Sequence, residues 1–175
     1  MSGLQTSLIV LAIVFVWYLS HQAGRLDRLH HRIEVAHAAL DGHLARRAGV
    51  IAELGTLLGN QELVQIAHKA LTISPQDFDA RSIVENQMMS QVQSVFAQQE
   101  IANKHLADDQ IAAMVEDLKT DNLRVQLSRR FHAEAVRAAL NLRDQRLVRW
   151  FHLAGWSPRP TTLDFADSLP STLGN

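Results

Sequence analysis

The segment RLDRLHHRIEVAHAALDGHLARRAGVIAELGTLL, residues 25–58, decides the fold of this chain. Its apolar residues recur mostly at steps of three or four, which places them on one face of a helix. These residues are Leu26, Leu29, Ile33, Ala36, Leu40, Leu44, Ile51, Leu54 and Leu58. No proline interrupts the pattern, and other helices must cover an apolar stripe of this length. The segment therefore predicts the first helix of a helical bundle.

The composition agrees with an all-α protein. The chain has 175 residues, with few glycines and prolines, and it contains no cysteine. Disulfides, iron–sulfur clusters and cysteine-ligated zinc are therefore excluded. The formal net charge of −1 gives no argument for nucleic-acid binding.

An uninterrupted apolar run, LIVLAIVFVWYL, precedes the stripe. With its weakly polar flanks it covers about 18 residues from Gly3 to Ser20, marginally enough to span a bilayer. We predict an uncleaved transmembrane anchor, because a basic start and a small-residue cleavage site, expected of a signal peptide, are missing. A buried core helix is the other alternative. The anchor residues are Leu8, Ile9, Val10, Leu11, Ile13, Val14, Phe15, Val16, Trp17, Tyr18 and Leu19.

Basic residues flank this run on one side only. Arg25, Arg28 and Arg32 follow it, and no Lys or Arg precedes it. The positive-inside rule then predicts a single-pass protein with its N-terminus outside and its body in the cytoplasm.

Three further helices are expected. A short one covers residues 61–72, and a third begins after Ser74-Pro75-Gln76-Asp77, which resembles an N-cap, a first-turn proline and an acidic third position. The third helix would extend to about His105, with Ile83, Met88, Val92, Val95, Phe96 and Ile101 on its apolar face. The acidic start at Asp108-Asp109 opens a fourth helix over residues 110–153.

The predicted organisation is a transmembrane anchor at residues 3–20, an antiparallel bundle of three long helices and one short helix at 21–154, and a tail at 155–175. We expect the tail to be extended or disordered. The number of antiparallel passes, three or four, determines whether the last helix returns towards the membrane.

Polar residues interrupt the apolar stripes of the first and last long helices. We predict that they form a buried polar network, because a buried charge needs a partner. The alternative is that the long side chains reach the rim of the bundle. The residues concerned are Asp41, Arg47, Asp121, Asn122, Arg129 and His132.

The end of the last predicted helix is basic and aromatic. Such an end could contact anionic lipid headgroups, or it could be an ordinary solvated helix terminus that favours Arg through the helix dipole. Its residues are Arg143, Arg146, Arg149, Trp150, Phe151 and Trp156.

Catalytic and cofactor signals are weak. Glu34 and His37 form one E-x-x-H pair, whereas a di-iron bundle uses two such pairs and two more glutamates. There is no nucleophile arrangement and no phosphate-binding glycine loop. We predict no catalytic, cofactor-binding or metal-binding residue.

Two segments together resemble the LemA family of membrane-anchored bacterial proteins. The first contains Arg32-Ile33-Glu34-Val35-Ala36, Leu40-Asp41 and Arg46-Arg47; the second contains Thr120-Asp121-Asn122 and Ser128-Arg129-Arg130-Phe131-His132-Ala133-Glu134-Ala135-Val136. The ending, with Gly155-Trp156 and Leu163-Asp164-Phe165, is also similar. The chain departs from the family pattern at Ala52-Glu53-Leu54 and His132-Ala133, so a polar site common to the family would be altered here. The resemblance implies a helical bundle facing the cytoplasm, and it implies no reaction.

The expected function is that of a non-enzymatic adaptor or accessory subunit of a larger assembly in the bacterial inner membrane. Its partners would be the lipid bilayer and other membrane proteins, with a homo-oligomer as a further option and without nucleic acid. The alternatives are a lipid-surface module, a self-associating bundle and, last, an enzyme with a metal site.

Overall fold

In a computed structural model of the chain, the structure describes residues 3–98, 108–144 and 161–170. These residues contain four helices: α1 Gly3–Leu58, α2 Gln61–Thr72, α3 Phe78–Phe96 and α4 Asp109–Arg143. The described part of the chain has no β-strand. The prediction of an all-α protein is confirmed.

The chain divides into two compact units. The first comprises Met1–Ala36 and Glu134–Thr161, and the second comprises His37–Ala133 and Thr162–Asn175. Each unit therefore contains part of α1 and part of α4.

The first unit presents exposed apolar residues along α1. Ten consecutive positions, 8–17, are exposed, and their large apolar side chains are 41–68% accessible. Arg32 and Glu134 form an ion pair at 4.0 Å in the same unit. Among the described residues, the structure has no helix with the length and apolar character needed to cross a membrane.

The second unit holds the main hydrophobic core. All four helices contribute, and the contributions from α2 are small residues and one leucine, which allow close approach. The core residues are Ala48, Ile51, Ala52, Leu54 and Leu58 of α1; Leu63, Ala67 and Ala70 of α2; Val84, Met88, Met89, Val92, Val95 and Phe96 of α3; and Ile111, Val115 and Leu118 of α4.

Contacts within the second unit give the helix directions. Asp41 contacts Arg81 and Arg47 contacts Glu85, so residue numbers rise together and α1 is parallel to α3. The short turn between α1 and α2 makes this pair antiparallel neighbours.

The last helix runs the other way. His37 lies against His132, and Arg47 contacts Asn122, so numbers on α4 fall as those on α1 rise. The second unit is thus an up-down-up-down arrangement, in agreement with the predicted antiparallel bundle and with four passes rather than three.

The turn between α1 and α2 is fixed by local hydrogen bonds. The amides of Gly59 and Asn60 donate to the carbonyls of Thr56 and Gly55, at 3.1 and 2.8 Å. This Schellman pattern needs a left-handed residue after the helix, and Gly59 has φ of +70°. Asn60 also caps α2, because its side chain accepts a hydrogen bond from the Leu63 amide at 2.9 Å. Helix α1 ends at Leu58, where the segment that predicted it also ends, and the predicted bounds of α2 are confirmed.

The start of α3 differs from the prediction. The N-cap is Asp77, whose carboxylate accepts from the Ala80 amide at 3.0 Å. Ser74 instead opens a turn, in which its carbonyl accepts from the Asp77 amide. The predicted start of α4 is confirmed, since Asp108 accepts from the Gln110 and Ile111 amides.

The predicted apolar face of α3 was partly wrong. Ile83 is exposed, whereas Val84 is buried. The described part of α3 ends at Phe96, not near His105, and Ile101 lies outside the described residues.

Residues 161–170 have no regular secondary structure, yet they pack on the bundle. Leu163 and Phe165 are buried in a second apolar cluster with Leu40, Leu44 and Val125. This part of the predicted tail is therefore ordered by tertiary contacts.

Candidate functional site

Arg47 is the centre of a buried polar network in the second unit. It lies on the buried face of α1, between the core residues Leu44 and Ile51, and it is completely inaccessible to solvent. One guanidinium nitrogen donates to the Glu85 carboxylate at 2.7 Å, and another donates to Asn122 Oδ1 at 2.8 Å. A buried guanidinium is tolerated only with such partners.

Glu85 joins Arg47 to a second arginine. Its other oxygen accepts from Arg81 Nε at 3.1 Å, and Glu85 is also fully buried. Arg81 in turn lies 3.2 Å from a carboxylate oxygen of Asp41, so charges alternate along the series. We call Asp41, Arg81, Glu85, Arg47 and Asn122 the Arg47 network. It links α1, α3 and α4, and its two positive and two negative charges balance.

A neighbouring carboxylate makes a separate cluster. Asp121 is buried, and it accepts hydrogen bonds from Arg46 at 2.8 and 2.9 Å and from Arg124 at 2.7 Å. Both arginines are largely exposed, so this cluster closes the edge of the α1–α4 interface towards solvent.

His132 belongs to an aromatic cluster instead. Its ring centroid lies 5.6 Å from that of His37 and 6.4 Å from that of Phe78. Burial, and secondly the proximity of His37, lower the pKa of His132 below its ordinary value of 6.5. His132 is therefore neutral at pH 7 and acts as a packing residue.

A groove on α3 and α4 holds residues 162–170, which we call the tail segment. Six side chains donate to or accept from its main chain: Ser82, Asn86 and Gln93 of α3, and Asn122, Gln126 and Arg129 of α4. We call these six residues the tail groove. Asn122 belongs to both sites, because its oxygen accepts from Arg47 while its nitrogen donates to the Asp167 carbonyl at 2.8 Å.

The structure separates the residues predicted to form one polar network. Asp41, Arg47 and Asn122 lie in the Arg47 network, and Asp121 lies in the adjacent cluster. Arg129 is part of the tail groove, where it pairs with Asp167 at 2.9 Å, and His132 is part of the aromatic cluster.

Two central residues of the network, Arg81 and Glu85, were missed by the sequence prediction. A signal was present, because steps of three and four back from the buried Met88 reach Glu85 and then Arg81. The predicted face contained only apolar residues, so it included the exposed Ile83 and left out Arg81 and Glu85. Its other described members are buried: Met88, Val92, Val95 and Phe96.

Two other sequence features were considered as possible sites: the basic aromatic end and the Glu34–His37 pair. Of the basic aromatic end, only Arg143 belongs to a described helix; Arg146, Arg149, Trp150, Phe151 and Trp156 lie outside the described residues. Within the described ranges, no three His, Asp or Glu side chains are grouped closely enough to hold a metal ion. Glu34 pairs with His31 at 3.9 Å, and His37 packs on Phe78.

Comparison with known proteins returned no matching family model, no matching curated protein and no matching solved structure.

Proposed function

We propose that this protein is a non-enzymatic, membrane-anchored adaptor or accessory subunit of a larger bacterial membrane assembly. The observation that carries the proposal is the exposed apolar stretch at residues 8–17 of α1. Water-exposed apolar patches of this kind mark contact with a membrane or a partner. Burying a large apolar side chain stabilises by about 1.5–3 kcal/mol, and nine of these ten positions carry one.

The proposed anchor is longer than the exposed stretch: it covers residues 3–20 and would suit a thin or locally thinned bilayer. At about 1.5 Å per residue, residues 3–20 extend over about 27 Å, against a hydrocarbon core of about 30 Å. A mismatch of this size is modest in energy. Trp17 and Tyr18 stand at the end where interfacial aromatics are favoured.

The exposed arginines after the stretch support a cytoplasmic body. Arg25, Arg28 and Arg32 are all exposed, so they are available to the anionic inner leaflet. The resemblance to LemA proteins in the motifs of α1 and α4 implies the same orientation.

The chemistry of the second unit favours binding over catalysis. The buried carboxylates of Glu85 and Asp121 are engaged by arginines, which leaves neither as a general base. The same ion pairs hold α1, α3 and α4 in one register, so the bundle presents a defined surface to a partner.

A second candidate function is self-association. Leu123, Leu127 and Phe131 recur every four residues on α4, and all three are more than half exposed. They form an apolar stripe on one face of the helix. A second copy could cover this stripe. A lipid-surface module remains the other alternative to an adaptor.

The anchor is tested by fractionation of the full chain with a C-terminal tag. We expect the chain to remain with membranes in alkaline carbonate and to be released by detergent. Changing Ile13 and Val14 to Lys should release it, because each central charge opposes insertion by about 2.5–3.5 kcal/mol. The matched control is Ile83→Lys, which places the same charge on an exposed apolar position of α3.

The adaptor role is tested by extraction in mild detergent and identification of the proteins that co-purify. A stoichiometric membrane partner supports the proposal. Recovery of the chain alone under several extraction conditions contradicts it. Recovery as a homo-oligomer that Leu127→Lys dissociates supports self-association instead.

A further inference from the structure

We infer that the tail groove is a peptide-docking site, and that its partner is an extended acidic peptide with a Leu-x-Phe pattern that replaces the chain's own tail segment. The tail segment, with Leu163, Asp164, Phe165, Ala166 and Asp167, shows the chemistry that the groove selects. The identity of the partner as a biological ligand rests on the proposed adaptor function.

The groove binds the tail segment through its main chain. The side-chain amides of Asn122 and Gln126 donate to the Asp167 carbonyl at 2.8 and 3.0 Å. The side-chain oxygen of Asn86 accepts from the backbone amide of Ala166 at 2.7 Å. Among the described residues, no backbone–backbone hydrogen bond joins the tail segment to a helix. Helix side chains therefore satisfy its polar backbone, and another peptide can present the same carbonyls and amides.

Two apolar side chains give the site its selectivity. Leu163 and Phe165 alternate with the exposed Asp164, as expected of an extended peptide that turns every second residue inwards. The Phe165 ring lies 5.5 Å from the Arg47 guanidinium and 5.4 Å from that of Arg129. An aromatic ring within about 6 Å of two cations is favoured over an aliphatic side chain.

Acidic residues are selected by Arg129. Its guanidinium lies 2.9 Å from Asp167 and 3.3 Å from Asp164, and it donates to the Phe165 carbonyl at 3.0 Å. These pairs lie at the rim of the groove, where salt screens them. The binding of an acidic peptide should therefore weaken as the salt concentration rises.

Because the tail segment is covalently attached to the bundle, a separate peptide must bind the groove more tightly than the tail segment does in order to replace it. A tethered segment acts at an effective concentration of about millimolar, so an intermolecular peptide of equal affinity is largely excluded until the tail is released. Because Asn122 also accepts from Arg47, release of the tail removes one of the two hydrogen bonds that orient this amide.

The test uses a fluorescently labelled peptide of residues 161–170, TTLDFADSLP, added to the full chain in non-ionic detergent. We expect weak binding to the native chain and at least tenfold tighter binding to the variant Leu163→Ala with Phe165→Ala, whose own tail no longer fills the groove. A second opened variant, Asp167→Arg, releases the tail by repulsion from Arg129 and keeps the side chains of Leu163 and Phe165. Adding Arg129→Ala to the variant Leu163→Ala with Phe165→Ala should weaken peptide binding at least tenfold.

Controls separate docking from structural roles. A peptide with Phe165 replaced by Ala should not bind. Absence of binding to both opened variants overturns the inference, as does a loss of helical circular dichroism in both, which makes the tail segment part of the folding core. A native dimer that becomes a monomer on Phe165→Ala also overturns it, because the occupant is then the tail of a second copy. Peptide binding needs no bilayer, so its failure is distinguishable from failure of the adaptor proposal.

Discussion

Glu85 accepts one hydrogen bond from each of two buried arginines, so its removal should destabilise the second unit strongly. The variant Glu85→Met keeps the approximate volume of the side chain and removes both acceptors. Arg47 then retains only Asn122, whereas Arg81 retains the Asp41 carboxylate and the Ile73 carbonyl.

The expected loss follows from these contacts. Hydrogen bonds to charged groups contribute about 1.5–3 kcal/mol each, so two of them give about 3–6 kcal/mol. Removing Glu85 also removes the desolvation cost of its buried carboxylate, which offsets part of this loss. Removing one partner of a buried ion pair usually costs about 3–5 kcal/mol. We therefore expect the free energy of unfolding to fall by about 3–5 kcal/mol.

The matched control is an exposed pair of equal length. Lys119 and Glu116 also approach to 2.7 Å, but the Glu116 side chain is 69% exposed. Glu116→Met should change the free energy of unfolding by less than about 0.5 kcal/mol, because surface pairs contribute little. The shortest contact is the same in both cases, so a difference between the variants reports burial together with the second arginine that binds Glu85.

The assay is urea unfolding of the full chain in non-ionic detergent, followed by far-ultraviolet circular dichroism. The double variant Arg47→Met with Glu85→Met should lose less than the sum of the single variants, by about 2 kcal/mol. A loss below about 1 kcal/mol for Glu85→Met would refute the reasoning, since it would mean that water or rearrangement compensates both arginines.

Three further predictions use the same measurement. Gly59→Ala should destabilise by about 1–2 kcal/mol because its φ of +70° is left-handed, whereas Gly49→Ala, at an open helical position, should stabilise by about 0.5–1 kcal/mol; equal effects would contradict this. Leu54→Ala should destabilise by about 3 kcal/mol or more, since its side chain is fully buried, and a loss under about 1 kcal/mol would place it outside the core. Burial lowers the pKa of His132 below 6.5, so the unfolded chain takes up this proton first, and stability should fall as the pH drops from 6.5 towards the folded-state pKa. His132→Gln should show a smaller fall over that range, and an unchanged pH profile would argue against a neutral buried His132.

Local patterns predicted much of the helical framework. The spacing of Leu40, Leu44 and Ile51 identified the buried face of α1, and the bounds of α2 were predicted as residues 61–72. These features depend on helix periodicity and on backbone conformation, which neighbouring residues determine. The same reasoning identified Met88 and Val92 on the buried face of α3 but included the exposed Ile83 and missed Glu85, because only apolar residues were assigned to that face.

The partners of the buried charges were not predictable in this way. Arg129 and His132 share a stripe with Asn122, yet Arg129 binds the tail segment and His132 packs on His37. The partner of each polar residue on α4 depends on which other helix or segment packs against that turn of α4. A single helix carries no information about that choice.

The sequence by itself determined the helical class, the positions of the turns and the apolar character of residues 8–17. Only the tertiary structure decided that Arg47 pairs with Glu85, 38 residues away, and that the tail segment lies along α3 and α4. The physical reason is that periodicity and capping are local, whereas a buried ion pair forms only when the register of two helices brings both charges together out of water.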